Sequence, residues 1–308
     1  MPRQVFGPRA WAEFLPLAAA YHALRRLPLD TAIRLGATLG ALAASLDRIN
    51  RPVALRNLEI AFPESDFQYR LKIFRSSYRN WGRVAAEWCH IEDFNAHNIR
   101  QFVSIEGFEN LLRAKEISRS SGIVLVSGHF GNFELLQVAA ALYGFPVTLI
   151  HRPLRNPIID RMVNRARLRY GNRSLPRRGA GLSALRLLKQ GGLVGVAADL
   201  DVRRGVFVNF FSLPASTTES PARLALASGA PLLPVFIVRE ARHAKHRIVI
   251  FPAIPVVTNG GSGKDTVVRE ATQRFTSVFE EMIRRYPDHW NWIHRRWKTR
   301  PNGEARFY

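Results

Sequence analysis

The chain has 308 residues, 47% of them hydrophobic and 22% charged. That length suits about two domains, or one large one with an appendage, and it excludes a disordered or low-complexity chain. Lys+Arg 45 against Asp+Glu 24 leaves a net charge of +21, and the single cysteine, Cys89, excludes an intrachain disulfide and a multi-cysteine zinc cluster.

The basic excess is almost entirely arginine, since lysine occurs only at 72, 115, 189, 245, 264 and 298. Arginine presents a planar fork that grips phosphate or carboxylate oxygens in pairs. An anionic partner is expected: nucleic acid, an anionic membrane face or a phosphorylated substrate. An arginine-rich genome would raise the total without any such partner.

Residues 1 to 105 read as helices, with breaks at Pro28-Leu29-Asp30 and Phe62-Pro63-Glu64-Ser65. None of this region reaches the ~18–20 uninterrupted apolar residues of a spanning helix. Phe14 to Leu24 is too short and contains His22; Leu29 to Leu46 carries Asp30 and Arg34. No short apolar region ends in a small-residue cleavage site, so no signal peptide is expected. Trp11, Phe14, Leu15, Leu17 and Leu24 beside Arg9, Arg25 and Arg26 suit a helix lying on a membrane surface. The same residues also suit a helix packed on the protein's own core. The expected division is an N-terminal helical, membrane-associating region over 1–105 and an α/β domain over 106–308.

From about residue 120 short apolar runs alternate with helical stretches. Strands are expected at 123–127, 147–150, 193–198, 232–238 and 248–251. Helices are expected at 133–142, 157–170, around Leu182, Leu185 and Leu188, and at 221–227 and 267–285. This alternation predicts a layered α/β fold with a mostly parallel sheet flanked by helices. Asn259 to Gly263 reads as a surface loop.

The most informative stretch is Ser127-Gly128-His129-Phe130-Gly131-Asn132-Phe133-Glu134, between a strand and a helix. Sites in such sheets lie at the carboxyl ends of strands. On one continuous helix, five residues turn about 500° and separate the two side chains. His129 and Glu134 therefore meet only with His129 in the loop and Glu134 in the helix's first turn. Gly128 and Gly131 permit such a loop, and Asn132 is a suitable N-cap. A first-turn carboxylate could hold the imidazole in one tautomer and make His129 a general base toward a hydroxyl. No Gly-x-Ser-x-Gly accompanies it, which favours direct transfer over a covalent enzyme intermediate.

Ten arginines fall in residues 151–186, with Asp160 the only acid there. They read either as a phosphate-binding wall or as a solvated basic surface. Asp199-Leu200-Asp201 closes a strand and could hold a cation, pair with arginines or contact sugar hydroxyls. No His or Cys stands near it, so no metal is expected. The tail from Trp290 to Arg300 mixes tryptophans with cations, as would a single-strand nucleic-acid platform, a membrane interface or a docked terminal segment. Gly260-Gly261-Ser262-Gly263-Lys264 fails as a phosphate loop, with Thr258 and Asp265 at its key positions.

Across nearly its whole length the sequence resembles the bacterial lipid A biosynthesis acyltransferases, the late lauroyl and myristoyl transferases of the lysophospholipid acyltransferase superfamily. The resemblance rests on Leu27-Pro28, Arg34-Leu35-Gly36, Arg56 to Glu64, His129-x-x-x-x-Glu134 and Arg152 to Pro157. It continues through Ala198 to Asp201, Val206 to Val208 with Phe210-Phe211, Thr217-Thr218, and Trp292 to Pro301. Its departures are His151, where the family usually has an aromatic, Leu200, where it usually has a polar residue, and a weaker N-terminal apolar segment.

The resemblance implies a glycerolipid-acyltransferase-like fold at the cytoplasmic face of the inner membrane, held peripherally or by one N-terminal anchor. It implies an enzyme moving a fatty acyl chain from an acyl carrier protein or coenzyme A thioester to a hydroxyl of a membrane glycolipid, with a lipid A precursor as the leading acceptor. No bound cofactor is implied. By resemblance His129 is the general base and Glu134 its support, while Arg165 and Arg167 face an acidic head group or the donor. Arg152, Asp199 and Asp201 join them as expected substrate-binding residues, and Phe130, Phe133 and Phe207 as the expected acyl pocket. Two other acceptors fit the same core, a phosphatidylinositol mannoside and a lysophospholipid. The competing reading from another class, motivated by the charge and the Trp/Arg tail, is a basic nucleic-acid-binding module.

Overall fold

Apolar stripes and short β-branched runs sort this chain into helices layered on one twisted sheet. The structure is a computed structural model, which describes residues 6–118, 121–240, 243–258 and 263–308. Most of the glycine-rich loop expected at 259–263, and of the failed phosphate loop, lies outside the described residues. In chain order the helices are α1 (Pro8–Arg25), α2 (Leu29–Leu46), α3 (Arg51–Ala61), α4 (Phe67–Cys89), α5 (Ile99–Phe102) and α6 (Phe108–Ser118), followed by α7 (Phe133–Leu142), α8 (Pro157–Leu168), α9 (Ala180–Lys189), α10 (Ser220–Ser228) and α11 (Lys264–Arg285). The strands are β1 (Val103–Glu106), β2 (Ile123–Ser127), β3 (Val147–His151), β4 (Arg173–Pro176) and β5 (Leu193–Ala197), then β6 (Val206–Phe210), β7 (Leu213–Thr217), β8 (Leu232–Arg239) and β9 (His246–Ile250).

Seven strands form one sheet in the order β1-β9-β8-β2-β5-β3-β4, and β6 and β7 form a separate antiparallel hairpin. Every neighbouring pair in the large sheet is parallel except β8 and β9. This is the mostly parallel layered sheet that the alternating pattern anticipates. The pattern missed four strands, and the reason is physical. β1 and β4 are four-residue edge strands only partly buried, and β6 and β7 make a two-stranded hairpin, so none carries a long apolar run. The central β8 is buried at all eight positions and reads clearly.

Side-chain caps fix the helix starts near the site. Asn132 accepts the Leu135 N–H at 3.0 Å to start α7, and Asn156 accepts the Ile158 N–H at 3.0 Å to start α8. On the other side of the molecule α2 packs closely on α4 through glycines, since a Cβ on Gly36 would stand 2.3 Å from the Gly82 carbonyl oxygen. The opposite face of α2 turns Leu35, Leu39, Leu42 and Leu46 outward, at helical spacing. Helix α1 has no buried residue and exposes Trp11, Leu15 and Leu17. Among the described residues no helix is long and apolar enough to cross a membrane.

Candidate active site

Strand register assembles the site's first pair. β2 and β5 are parallel neighbours with Ser127 opposite Ala197, and the Ala198 N–H continues the ladder to the Ser127 carbonyl at 2.9 Å. Residues two beyond that match, His129 and Asp199, emerge side by side at the carboxyl ends of the strands. The His129 backbone N–H donates to Asp199 Oδ2 at 3.0 Å, and its Nδ1 lies 3.0 Å from Asp199 Oδ1. Gly128 permits this approach, because a Cβ there would stand 2.7 Å from Asp199 Cγ. The Trp290 indole N–H adds a third donor to Asp199 at 3.1 Å.

These contacts set the protonation states. Burial pushes the Asp199 carboxyl up, but the His129 charge and the three hydrogen bonds outweigh it and hold it below its ordinary value. Burial likewise opposes a charged His129, yet Asp199, with a smaller contribution from Glu134, raises its pKa above the ordinary imidazole value. An ionised carboxylate only accepts, so Nδ1 carries the proton and Nε2 is left as an acceptor. The Asp199 side chain is 1% exposed and that of His129 is 31% exposed. The imidazole therefore reaches solvent-accessible space while its partner does not.

The expected contact between His129 and Glu134 is not made. His129 does stand in the loop and Glu134 does stand in the first turn of α7, but the carboxylate faces α8. Arg167 grips both its oxygens, one through Nε at 3.0 Å, and Gln137 donates to it at 2.6 Å. A bidentate arginine is a stronger partner for a half-buried carboxylate than an imidazole already committed to Asp199. Asp199, expected among the substrate-binding residues, is buried behind His129 and Trp290 and does not line the cavity beside His129.

A cavity of about 1030 Å³ opens beside His129. Its wall is mainly apolar, with Leu125, Leu136, Ala140, Leu149, Val235 and Ile248 from the sheet and α7, and with Leu17, Tyr21, Trp81 and Trp88 from α1 and α4. Its polar lining includes His129, Glu134, His151, Arg152, Arg167, Arg177, Asp201 and His294. Phe133 lines it and packs on the His129 ring at 5.2 Å between centroids. Phe130 does not. Gly131, at φ +57°, turns the chain there, and Phe130 buries against Phe236 and His289. Phe207 is 36% exposed on the β6–β7 hairpin, and Arg165 is exposed on α8; neither lines the cavity.

A model of the family described as "Bacterial lipid A biosynthesis acyltransferase" matches residues 3–299. The chain belongs to this family. It is 29% identical over 309 residues to the lipid A biosynthesis palmitoleoyltransferase of Escherichia coli K12, covering 99% of this chain and 97% of that one. It is 30% identical to the lauroyltransferase of the same organism over 301 residues, 96% of this chain and 94% of that one. The myristoyltransferase of that organism is 24% identical over 304 residues, 98% and 91% of the two chains.

In this acyltransferase the C-terminal tail is a structural part of the site. Trp290, Trp292 and Trp297 are buried in the core, so the tail is a docked segment. It delivers Trp290 to Asp199, and Thr299 to Asp201 through its backbone N–H at 3.1 Å and its hydroxyl at 3.0 Å. Buried Asn57 of α3 pins the tail by donating to the Trp292 and His294 carbonyls, each at 2.7 Å. Sequence reasoning missed Asn57, Arg177, Trp290, His294 and Thr299 as site residues. The signals were the tail motif itself and the Arg56-Asn57 pair, which spacing alone could not connect across more than 200 residues.

Proposed function

We propose that this protein transfers a fatty acyl chain from an acyl carrier protein or coenzyme A thioester to a hydroxyl of a lipid A precursor. His129 Nε2 takes the hydroxyl proton as the oxygen attacks the thioester carbonyl. The bond to sulfur breaks, and the imidazolium returns the proton to the leaving thiolate. Asp199 fixes the tautomer and stabilises the imidazolium in between. Glu134 is held by Arg167 and forms one ionic wall of the slot rather than the histidine's direct partner. The acyl chain lies along the apolar wall past Phe133, and Arg152 and Arg177 meet the anionic head group or the anionic donor.

The observation that carries this reading is one imidazole with a free Nε2 opening onto a large apolar cavity that arginines flank. The substrate class comes from the relatives, whose names are lipid A acyltransferases of three different chain types. The outward leucines of α2 and the apolar surface of α1 serve as the membrane face, in line with a helical membrane-associating region ahead of an α/β domain and a place at the cytoplasmic side of the inner membrane. Leu17, Tyr21 and Leu24 of α1 also line the cavity, which gives a lipid tail a short route from bilayer to slot.

Mass spectrometry of lipid A from cells with and without the protein tests this. A gain of one acyl mass with the protein is expected. Unchanged lipid A beside a one-acyl gain in another lipid class would move the acceptor.

A further inference from the structure

His294 lines the same cavity, as His151 does, and its tautomer is fixed by the backbone. The Asp201 N–H donates to His294 Nε2 at 2.9 Å. A backbone N–H only donates, so Nε2 must be bare and the neutral ring carries its proton on Nδ1. Asp201 cannot drift, because Thr299 holds both its carboxylate oxygens. Asn57 anchors the His294 backbone by donating to its carbonyl, and the Asp201 N–H orients the ring. Burial lowers the His294 pKa, with Arg296 and His129 adding to that effect against Asp199 and Asp201, so the ring stays neutral. Among the described residues nothing is hydrogen-bonded to Nδ1. Of the three histidines lining the cavity, His129, His151 and His294, the first and last are of complementary kind. His129 offers a lone pair at Nε2, and His294 offers an N–H at Nδ1.

We propose that His294 is the donor to the reacting carbonyl: its Nδ1–H hydrogen-bonds the thioester oxygen as that oxygen becomes an oxyanion. The inference rests on the acyl-transfer reading. As the acceptor oxygen adds to the carbonyl carbon, the C=O π pair moves to oxygen and the His294 N–H stabilises it there. The pair returns when the C–S bond breaks, and His294 neither gains nor loses a proton. A preorganised neutral donor in an apolar slot suits a charge that exists only during reaction, whereas a permanent phosphate is matched by the arginines.

Two substitutions separate this role from mere support of the tail. In His294→Gln the new amide oxygen can accept the Asp201 N–H where Nε2 did, but no donor stands at the Nδ1 position. In His294→Asn an amide N–H stands at the Nδ1 position, but the Asp201 bond is lost. Wild type, His129→Ala and both variants are assayed with lauroyl, myristoyl and palmitoleoyl thioesters of both coenzyme A and acyl carrier protein, and an under-acylated lipid A in detergent micelles. For His294→Gln we expect kcat to fall about 10²–10³-fold with KM and melting temperature little changed. For His294→Asn we expect kcat within about tenfold of wild type. A supporting role predicts the reverse order. Wild-type kcat in His294→Gln, or a slower His294→Asn than His294→Gln, overturns the proposal. Dead His129→Ala beside fully active His294→Gln overturns this inference alone, while an inactive wild type overturns the acyl-transfer reading with it.

Discussion

Two buried carboxylates in this protein each hold an imidazole, and their surroundings make them different devices. Glu87 of α4 is bonded by Arg239 through two 2.6 Å hydrogen bonds, by His246 Nε2 at 2.9 Å and by Asn132 at 2.8 Å. Both Glu87 and His246 side chains are 0% exposed, so nothing can reach that imidazole. Asp199 is as deeply buried, but its histidine lines the cavity with Nε2 unbonded among the described residues. The same pairing of carboxylate and imidazole is a fastener in one place and, in the proposed reaction, a proton-transfer couple in the other. The difference lies in exposure: the Nδ1 of His246 is also without a hydrogen-bond partner among the described residues, but it is sealed in the core where no substrate can reach it. The two are also linked, because Asn132 joins Glu87 to the N-terminus of α7 and so to the loop that carries His129.

Asp199→Asn should separate the two devices most sharply. An amide can stabilise the wrong tautomer and cannot stabilise the imidazolium, so kcat should fall by up to about 10⁴-fold while folding is largely kept. A stability loss with kcat retained would place Asp199 with Glu87 as a fastener. Glu87→Ala should do the opposite. Removing one partner of a buried ion pair leaves Arg239 uncompensated, at a cost of about 3–5 kcal/mol in chemical denaturation. Burial raises the Glu87 pKa, but His246 and Arg239 pull it down to about 2. The sign follows from that lowering: its contribution is full above the unfolded carboxyl value and is lost as pH falls toward the folded one. Acid unfolding should therefore lose its steepest component in Glu87→Ala.

The smallest effect expected is on pH dependence. Because Asp199 raises the His129 pKa, the acid limb of kcat/KM should lie above the ordinary imidazole value in wild type. It should move to lower pH in Asp199→Asn, whose residual activity is measured across the same range. An unmoved limb would mean that another group titrates there.

Much of this site was legible before any coordinates. Gly128, Gly131 and Asn132 between an apolar run and a helix placed His129 in a loop and Glu134 in a first turn. What spacing could not supply was strand order. Asp199 becomes the partner of His129 only because β5 lies beside β2, and nothing in the local pattern of 193–201 says so. The split between Phe130 and Phe133 follows the same logic. Two similar residues three apart go to the core and to the cavity because Gly131 reverses the chain between them. Arg165 and Arg167 likewise look alike in sequence, and only the placement of α8 against α7 turns one to Glu134 and the other to solvent. The docked tail was one of three readings of its tryptophans and cations. Their burial against β6, β7 and α3 is a long-range packing fact that composition does not encode.

Purified wild type and His129→Ala, incubated with an acyl thioester and an under-acylated lipid A, give the most direct measurement, with thioester loss and acyl-lipid gain followed by mass spectrometry in one reaction. Wild type should convert both together, and His129→Ala, folded and equally stable, should be slower by at least about 10³-fold. Equal transfer by the two proteins would contradict the assignment of His129 as the base.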